Sequence, residues 1–225
     1  MTEIFGEQVV VWLGRVPVTR TMLTSATTSV GVLVLAHRIA RAIERRPHSR
    51  VAACGRLGVG FLKDLVLQAS GHETPALQAF LAALFLFIAG STIIGQLPGI
   101  SAPTANLPAA SALAVLVFLA VPIAGVRSRG LLGYLKHYLQ PNPLLFPLHL
   151  ISELSRTLAL ALRLFGNMMS GHLVVALIVA LAGVLVPVPL MALDLLIGFL
   201  QAYIFTILAG VYIGAAMRVG EGNES

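Results

Sequence analysis

From Thr74 to Val126 the chain contains no Asp, Glu, Lys, Arg or His. A stretch of that length without charge fits a bilayer rather than a water-facing surface. A hydrocarbon core about 30 Å thick is crossed by about 20 apolar residues in a helix. Helices also satisfy their own backbone hydrogen bonds, which lipid demands. Gly and Pro divide the run at GQLPGISAPTANLP. It therefore predicts two spans, roughly 76–97 and 107–126, joined by an external turn.

The rest of the chain has the same character. Of 225 residues, 57% are hydrophobic and 11% charged, and mean hydropathy is +0.91. Soluble domains carry roughly 25% charge, so this is an integral membrane protein. Lys and Arg number 15 against 9 Asp and Glu, a formal net charge of +6. In a soluble protein that excess would suggest nucleic acid. Here the basic residues sit beside apolar segments, as cytoplasmic membrane loops do, and nucleic acid is not an expected partner. One cysteine, Cys54, rules out an internal disulfide and any multi-cysteine metal site.

Residues 21–43 form the first predicted span. Arg38, Arg41, Arg45, Arg46 and Arg50, at and just beyond its end, form the densest basic cluster. The positive-inside rule places that cluster in the cytoplasm, which leaves 1–20 as an external N-terminus. That N-terminus lacks the basic-then-apolar order of a cleavable signal, so the first span is expected to direct export. With no transit peptide or lipidation motif, the expected home is a bacterial inner membrane. Residues 51–72 alternate apolar groups with Arg56, Lys63 and Asp64. This suits an amphipathic helix on the cytoplasmic surface; an ordinary loop helix is the alternative. Arg127, Arg129 and Lys136 mark a second cytoplasmic loop.

Residues 148–217 are strongly apolar, yet contain Glu153, Arg156, Arg163, His172 and Asp194. A break at VPVP, 186–189, divides them into helices of about 148–184 and 190–217. Both exceed a perpendicular span, so they must tilt strongly. Residues 218–225 form a polar cytoplasmic tail. The expected fold is thus a single all-α membrane domain. It has about five membrane helices and an amphipathic surface helix, and the last two spans form a long, tilted antiparallel hairpin.

Arg163 is the most demanding residue in this hairpin. Its guanidinium keeps its charge under any physiological condition, and an arginine at membrane depth costs at least ~2.5 kcal/mol on insertion scales. Such a residue marks a functional site by default. Arg156, Arg163 and Ser170 are seven apart and share one stripe. Asn167 lies one turn after Arg163, and Ala159 and Gly166 leave room beside it for another helix. On the following helix, Asp194 and Gln201 are also seven apart. In an antiparallel pair, residues at one depth have a constant sum of residue numbers. Arg163 with Gln201 and His172 with Asp194 give nearly equal sums. A shared polar layer follows, with His172 near Asp194 and Arg163 near Gln201. Some members have plainer readings. Glu153 with Arg156 could be a local ion pair near a helix start, and Gln201 could be helix–helix glue.

RLFGN at 163–167, SGHL at 170–173 and LQAYIFTILAGVYIGAA at 200–216 resemble subunit a of F-type ATP synthases. LFLFIAGSTIIGQLPG and APTANL resemble that family's middle spans and their connection. The resemblance covers roughly 74–217. It implies that Arg163 is the stator arginine, Gln201 its partner glutamine, and Asn167 the asparagine one turn on. His172 and Asp194 match a polar pair whose residue types are exchanged in many bacterial members. Glu153 resembles a carboxylate on the cytoplasmic ion path. Asn106 stands where PTADL-like sequences have aspartate. Ser170, Arg156 and Asn106 are candidate channel-lining residues.

The resemblance further implies the stationary half of an ion-driven rotary motor. Its partners would be a ring of c subunits, the peripheral-stalk b subunits, the remainder of the F-type ATPase, and membrane lipid. Ring carboxylates would be neutral in lipid and ionised beside Arg163. Protons or sodium ions would reach them through two half-channels, driving ATP synthesis or being pumped by hydrolysis. No cofactor and no metal is expected. The chain has no P-loop, so it is not expected to be an enzyme on its own. The competing reading is a stand-alone transporter or channel that binds an anionic substrate at Arg163. A haem or metal enzyme would need paired histidines. His37, His137, His149 and His172 offer no two at i, i+4 spacing.

Overall fold

The computed structural model describes residues 3–4, 7–13, 16–45, 49–71, 74–96, 102–139, 146–183 and 186–218. Arg46, residues 97–101 of the external turn and the tail from 219 onward lie outside that set.

Three short strands come first: β1 (Glu3–Ile4), β2 (Glu7–Leu13) and β3 (Val16–Thr19). They pair antiparallel in the order β1-β2-β3, with a register irregularity between Val9 and Val11. β-Branched and aromatic residues in VVVW favour a pleated strand. The sequence reading treats 1–20 only as an external segment, so this small sheet is an addition to it.

Among the described residues, six α-helices follow: α1 (Arg20–Arg45), α2 (Arg50–Ser70), α3 (Pro75–Gly95), α4 (Leu107–Leu139), α5 (Phe146–Ala182) and α6 (Val188–Arg218). All but α2 contain a segment long and apolar enough to cross a membrane: Thr21–Arg45, Pro75–Gly95, Leu107–Ser128, Ile151–Leu181 and Val188–Met217. This is the multi-pass, helix-built membrane architecture that the sequence predicts. At about 1.5 Å per residue, α5 and α6 are longer than a bilayer core is thick.

The polar residues of α1 show how such a helix survives in lipid. The hydroxyls of Thr27, Thr28 and Ser29 each donate to the carbonyl four residues back, at 2.8, 2.7 and 2.9 Å. These three hydroxyls find their acceptors within the helix and need no water. α2 starts at a Ser49 cap, whose side chain accepts the Ala52 N–H at 3.1 Å. It stops at Gly71, whose φ of 67° is open to glycine at little cost. One face of α2 buries Ala52, Leu65, Val66 and Ala69, while Arg56, Lys63 and Asp64 stay exposed. Phe61 meets the rings of Phe85 on α3 and Tyr203 on α6. α2 is therefore docked on the bundle by its apolar side.

The core is assembled by helical periodicity. Leu77, Leu81, Leu84 and Ile88 of α3 form one stripe, and Ala202, Phe205, Ala209 and Ile213 of α6 form another. α4 adds Ala110, Leu113, Ala114, Val117 and Val121, and α5 adds Leu160, Ala161, Leu164 and Met168. Along the α3–α6 seam, Thr92 seats on Gly198, where a Cβ would lie 2.1 Å from its Cγ2. Farther along, a Cβ on Gly210 would lie 3.1 Å from Leu81. These contacts run in opposite directions on the two helices, so α3 and α6 are antiparallel. α4 changes direction at Gly130, whose φ of 75° and ψ of 164° are not helical. The break follows the apolar part of the helix.

Candidate functional site: a polar seam between the last two helices

Two contacts fix how α5 and α6 lie. Gly171 faces Asp194, and a Cβ there would fall 1.8 Å from Oδ1. The Arg156 guanidinium lies over the Tyr212 ring, 4.2 Å from its centroid. From Gly171 back to Arg156, α6 advances from Asp194 to Tyr212. The helices are thus antiparallel, and Arg163 and Gln201 occupy nearly the same level.

At that level the two side chains face different ways. Gln201 is only 5% exposed, and its Nε2 has no hydrogen-bond partner among the described residues. Arg163 is exposed, as are Ala159, Gly166, Arg156 and Ser170 around it. The seven-residue stripe lies on an outer face of the chain. No carboxylate pairs with Arg163, and no hydrogen bond joins it to Gln201, among the described residues. Asn167 is half-buried, and its carbonyl accepts the Ser170 hydroxyl at 3.1 Å. A Cβ on Gly166 would meet nothing within 4 Å, so this face is open.

At one end of the seam, the last turn of α3 closes a polar cluster. Gln96 Nε2 donates to Asp194 Oδ2 at 2.8 Å. Its neighbour Gly95 lies under His172, whose Nε2 would be 3.0 Å from a Cβ at that position. The absence of a side chain at Gly171 admits the carboxylate, and its absence at Gly95 admits the imidazole. His172 and Asp194 are therefore gathered against the same turn of α3, both half-buried. They are not directly hydrogen-bonded among the described residues.

At the other end, Glu153, Arg156, Thr157 and Tyr212 line a small cavity of about 10 Å³ together with Val117, Phe118, Val121 and Leu160. That is room for about one water. The ring face of Tyr212 attracts the cation and holds it against α6. Asn106 is elsewhere. Its Nδ2 donates to the Thr21 hydroxyl, and its carbonyl accepts the Ala110 N–H at 3.0 Å. It ties the start of α4 to the start of α1.

Sequence reasoning missed Gln96, Tyr212 and Thr92. The signal for Gln96 was available, as an amide closing an otherwise apolar span. Tyr212 and Thr92 read as ordinary interior residues.

The fold and this seam define a multi-pass helical membrane protein with charged and polar residues along its last two helices. A family model described as the ATP synthase A chain matches residues 21–214. The chain is 39% identical to ATP synthase subunit a 2 of Bradyrhizobium sp. over 208 residues, 91% of this chain and 92% of that one. It is 49% identical to ATP synthase subunit a 2 of Picosynechococcus sp. over 160 residues, 71% and 69% of the two chains. It is 36% identical to ATP synthase subunit a of Legionella pneumophila over 209 residues, 93% and 91%. The chain belongs to the ATP synthase subunit a family.

Proposed function

We propose that this chain is the membrane stator of a rotary ATP synthase, and that its charged stripe faces a ring of c subunits. As a member of the family, it works within the ATP synthase complex and contributes no nucleotide chemistry itself. The observation that carries the finer reading is the setting of Arg163. A permanent cation stands on an outer face, flanked by the small residues Ala159 and Gly166, and meets no carboxylate of its own chain among the described residues. The matching negative charge then comes from outside, as one carboxylate on each ring subunit.

The chemistry follows from charge. A ring carboxylate facing lipid is kept neutral by a proton or a bound cation, because bare charge there is costly. Beside Arg163 its ionised form is favoured and the ion is released. The next site is refilled before it returns to lipid. Arg163 also blocks a direct leak, since protons do not hop through a permanent cation. Each elementary charge crossing 100 mV supplies ~2.3 kcal/mol, which turns the ring.

Two access paths meet this layer. Gln96, His172 and Asp194 border the path from outside, where a His–carboxylate pair relays protons near neutral pH. Glu153, Arg156 and Tyr212 border the path to the cytoplasm, with Ser170 and Asn167 along the stripe. Gln201, buried one layer in, backs the arginine. The arginine-rich end of α1 supports an N-terminus outside and a C-terminus in the cytoplasm of a bacterial inner membrane. The b subunits join the same complex through other surfaces.

Arg163→Ala tests the reading in whole complexes reconstituted into liposomes at matched assembly. ATP-driven ion uptake should disappear while the complex stays assembled. Uptake near the wild-type rate would make Arg163 structural and return the stand-alone transporter reading. Co-purification decides that case, since a transporter would be isolated without ring or stalk.

A further inference from the structure

An open groove of about 650 Å³ runs between α3, α4 and α6 and is not lined by α5. Leu77, Phe80, Leu116, Leu119, Ile123 and Ile213 form its apolar walls. Its polar lining is Thr74, Arg127 and Ser128. These three gather at one end. Thr74 precedes α3, Arg127 and Ser128 close the apolar part of α4, and Met217 near the end of α6 lines the groove too. Because α3 runs antiparallel to α6, the start of one and the end of the other lie on the same side of the bundle.

We propose that this groove binds an anionic phospholipid, with one acyl chain along the apolar walls and the phosphate at Arg127. Charge complementarity identifies the occupant. Arg127 is exposed and has no ion pair among the described residues. It stands at the end of a candidate span, Leu107–Ser128, which is the level of lipid phosphates. Basic pockets between membrane helices hold anionic head groups in this way. The Thr74 side chain makes no cap hydrogen bond with α3, so its hydroxyl is available to a phosphate oxygen. The groove's size falls within the ~300–1,000 Å³ range of small-molecule sites.

The site is independent of the roles proposed for Arg163. The test uses the intact ATP synthase complex, stripped in detergent and reloaded with phosphatidylglycerol or phosphatidylcholine. Lipid retained on this chain is read by native mass spectrometry. The wild type should retain phosphatidylglycerol over phosphatidylcholine. Arg127→Gln should weaken that retention about tenfold, the scale of one lost charge-assisted hydrogen bond. Arg127→Lys should keep most of it, and Arg163→Ala should leave it unchanged. Equal retention by wild type and Arg127→Gln would overturn the proposal. Displacement of phosphatidylglycerol by inorganic phosphate would assign the site to a free anion and overturn the lipid reading. A cross-link from Leu119→Cys to another subunit in the intact complex would overturn it in favour of a protein helix.

Discussion

Gln96 shows what a single side chain contributes here. It reaches across from α3 and gives Asp194 a donor at 2.8 Å. Replacing it with leucine would remove the donor and leave the half-buried carboxylate short of a partner, at a cost of about 1–3 kcal/mol. We expect Gln96→Leu to lower the thermal stability of the assembled complex, and much less so in an Asp194→Ala background, which has no acceptor for it. Additive losses in that double-mutant cycle would remove the coupling. The sequence places Arg163, Gln201, His172 and Asp194 in one polar layer because spacing and antiparallel register fix depth. It does not fix direction. Both helices are apolar nearly all round, so no hydrophobic stripe indicates which side turns inward. Gln201 faces the core and Arg163 the exterior, a distinction that depends on neighbouring helices. Gln96 escaped notice for the same reason, since its partner is 98 residues away.

Among the elements, glycine positions separate seams from open faces. A Cβ on Gly198 would drive into Thr92, itself 2% exposed. Gly198→Ala should therefore cost about 1–3 kcal/mol as an overpacked contact. Gly58 in α2 has nothing within 4 Å of a Cβ. Gly58→Ala should instead stabilise by about 0.5–1 kcal/mol, the backbone entropy of a helical glycine. Thermal unfolding of the two variants should move in opposite directions. A matching fall in both would mean that α2 packs closely on that side in the complex. The five long apolar helices were legible because hydropathy and length act locally. The N-terminal sheet was not, since its strands are short and pair only with each other. The docking of α2 through Phe61, Phe85 and Tyr203 depends on ring contacts that alternating polarity does not encode.

The whole molecule has an orientation that one residue can report. Cys54 is the only cysteine in the chain and is exposed, and it stands between Arg50 and Arg56 in the basic region after α1. A membrane-impermeant maleimide should label it in inverted vesicles and not in right-side-out ones, with Cys54→Ser as the blank. The reverse pattern would invert the topology drawn from the arginines. The antiparallel register of α5 and α6 has a further consequence for how such a gene can change. Length cannot change freely. One residue inserted between Arg163 and His172 would rotate everything beyond it by about 100°, detaching the histidine from its turn of α3. The same insertion beside Gly183, in the turn between the helices, would leave both registers intact. The hairpin thus admits insertions at its bend and not between its paired positions.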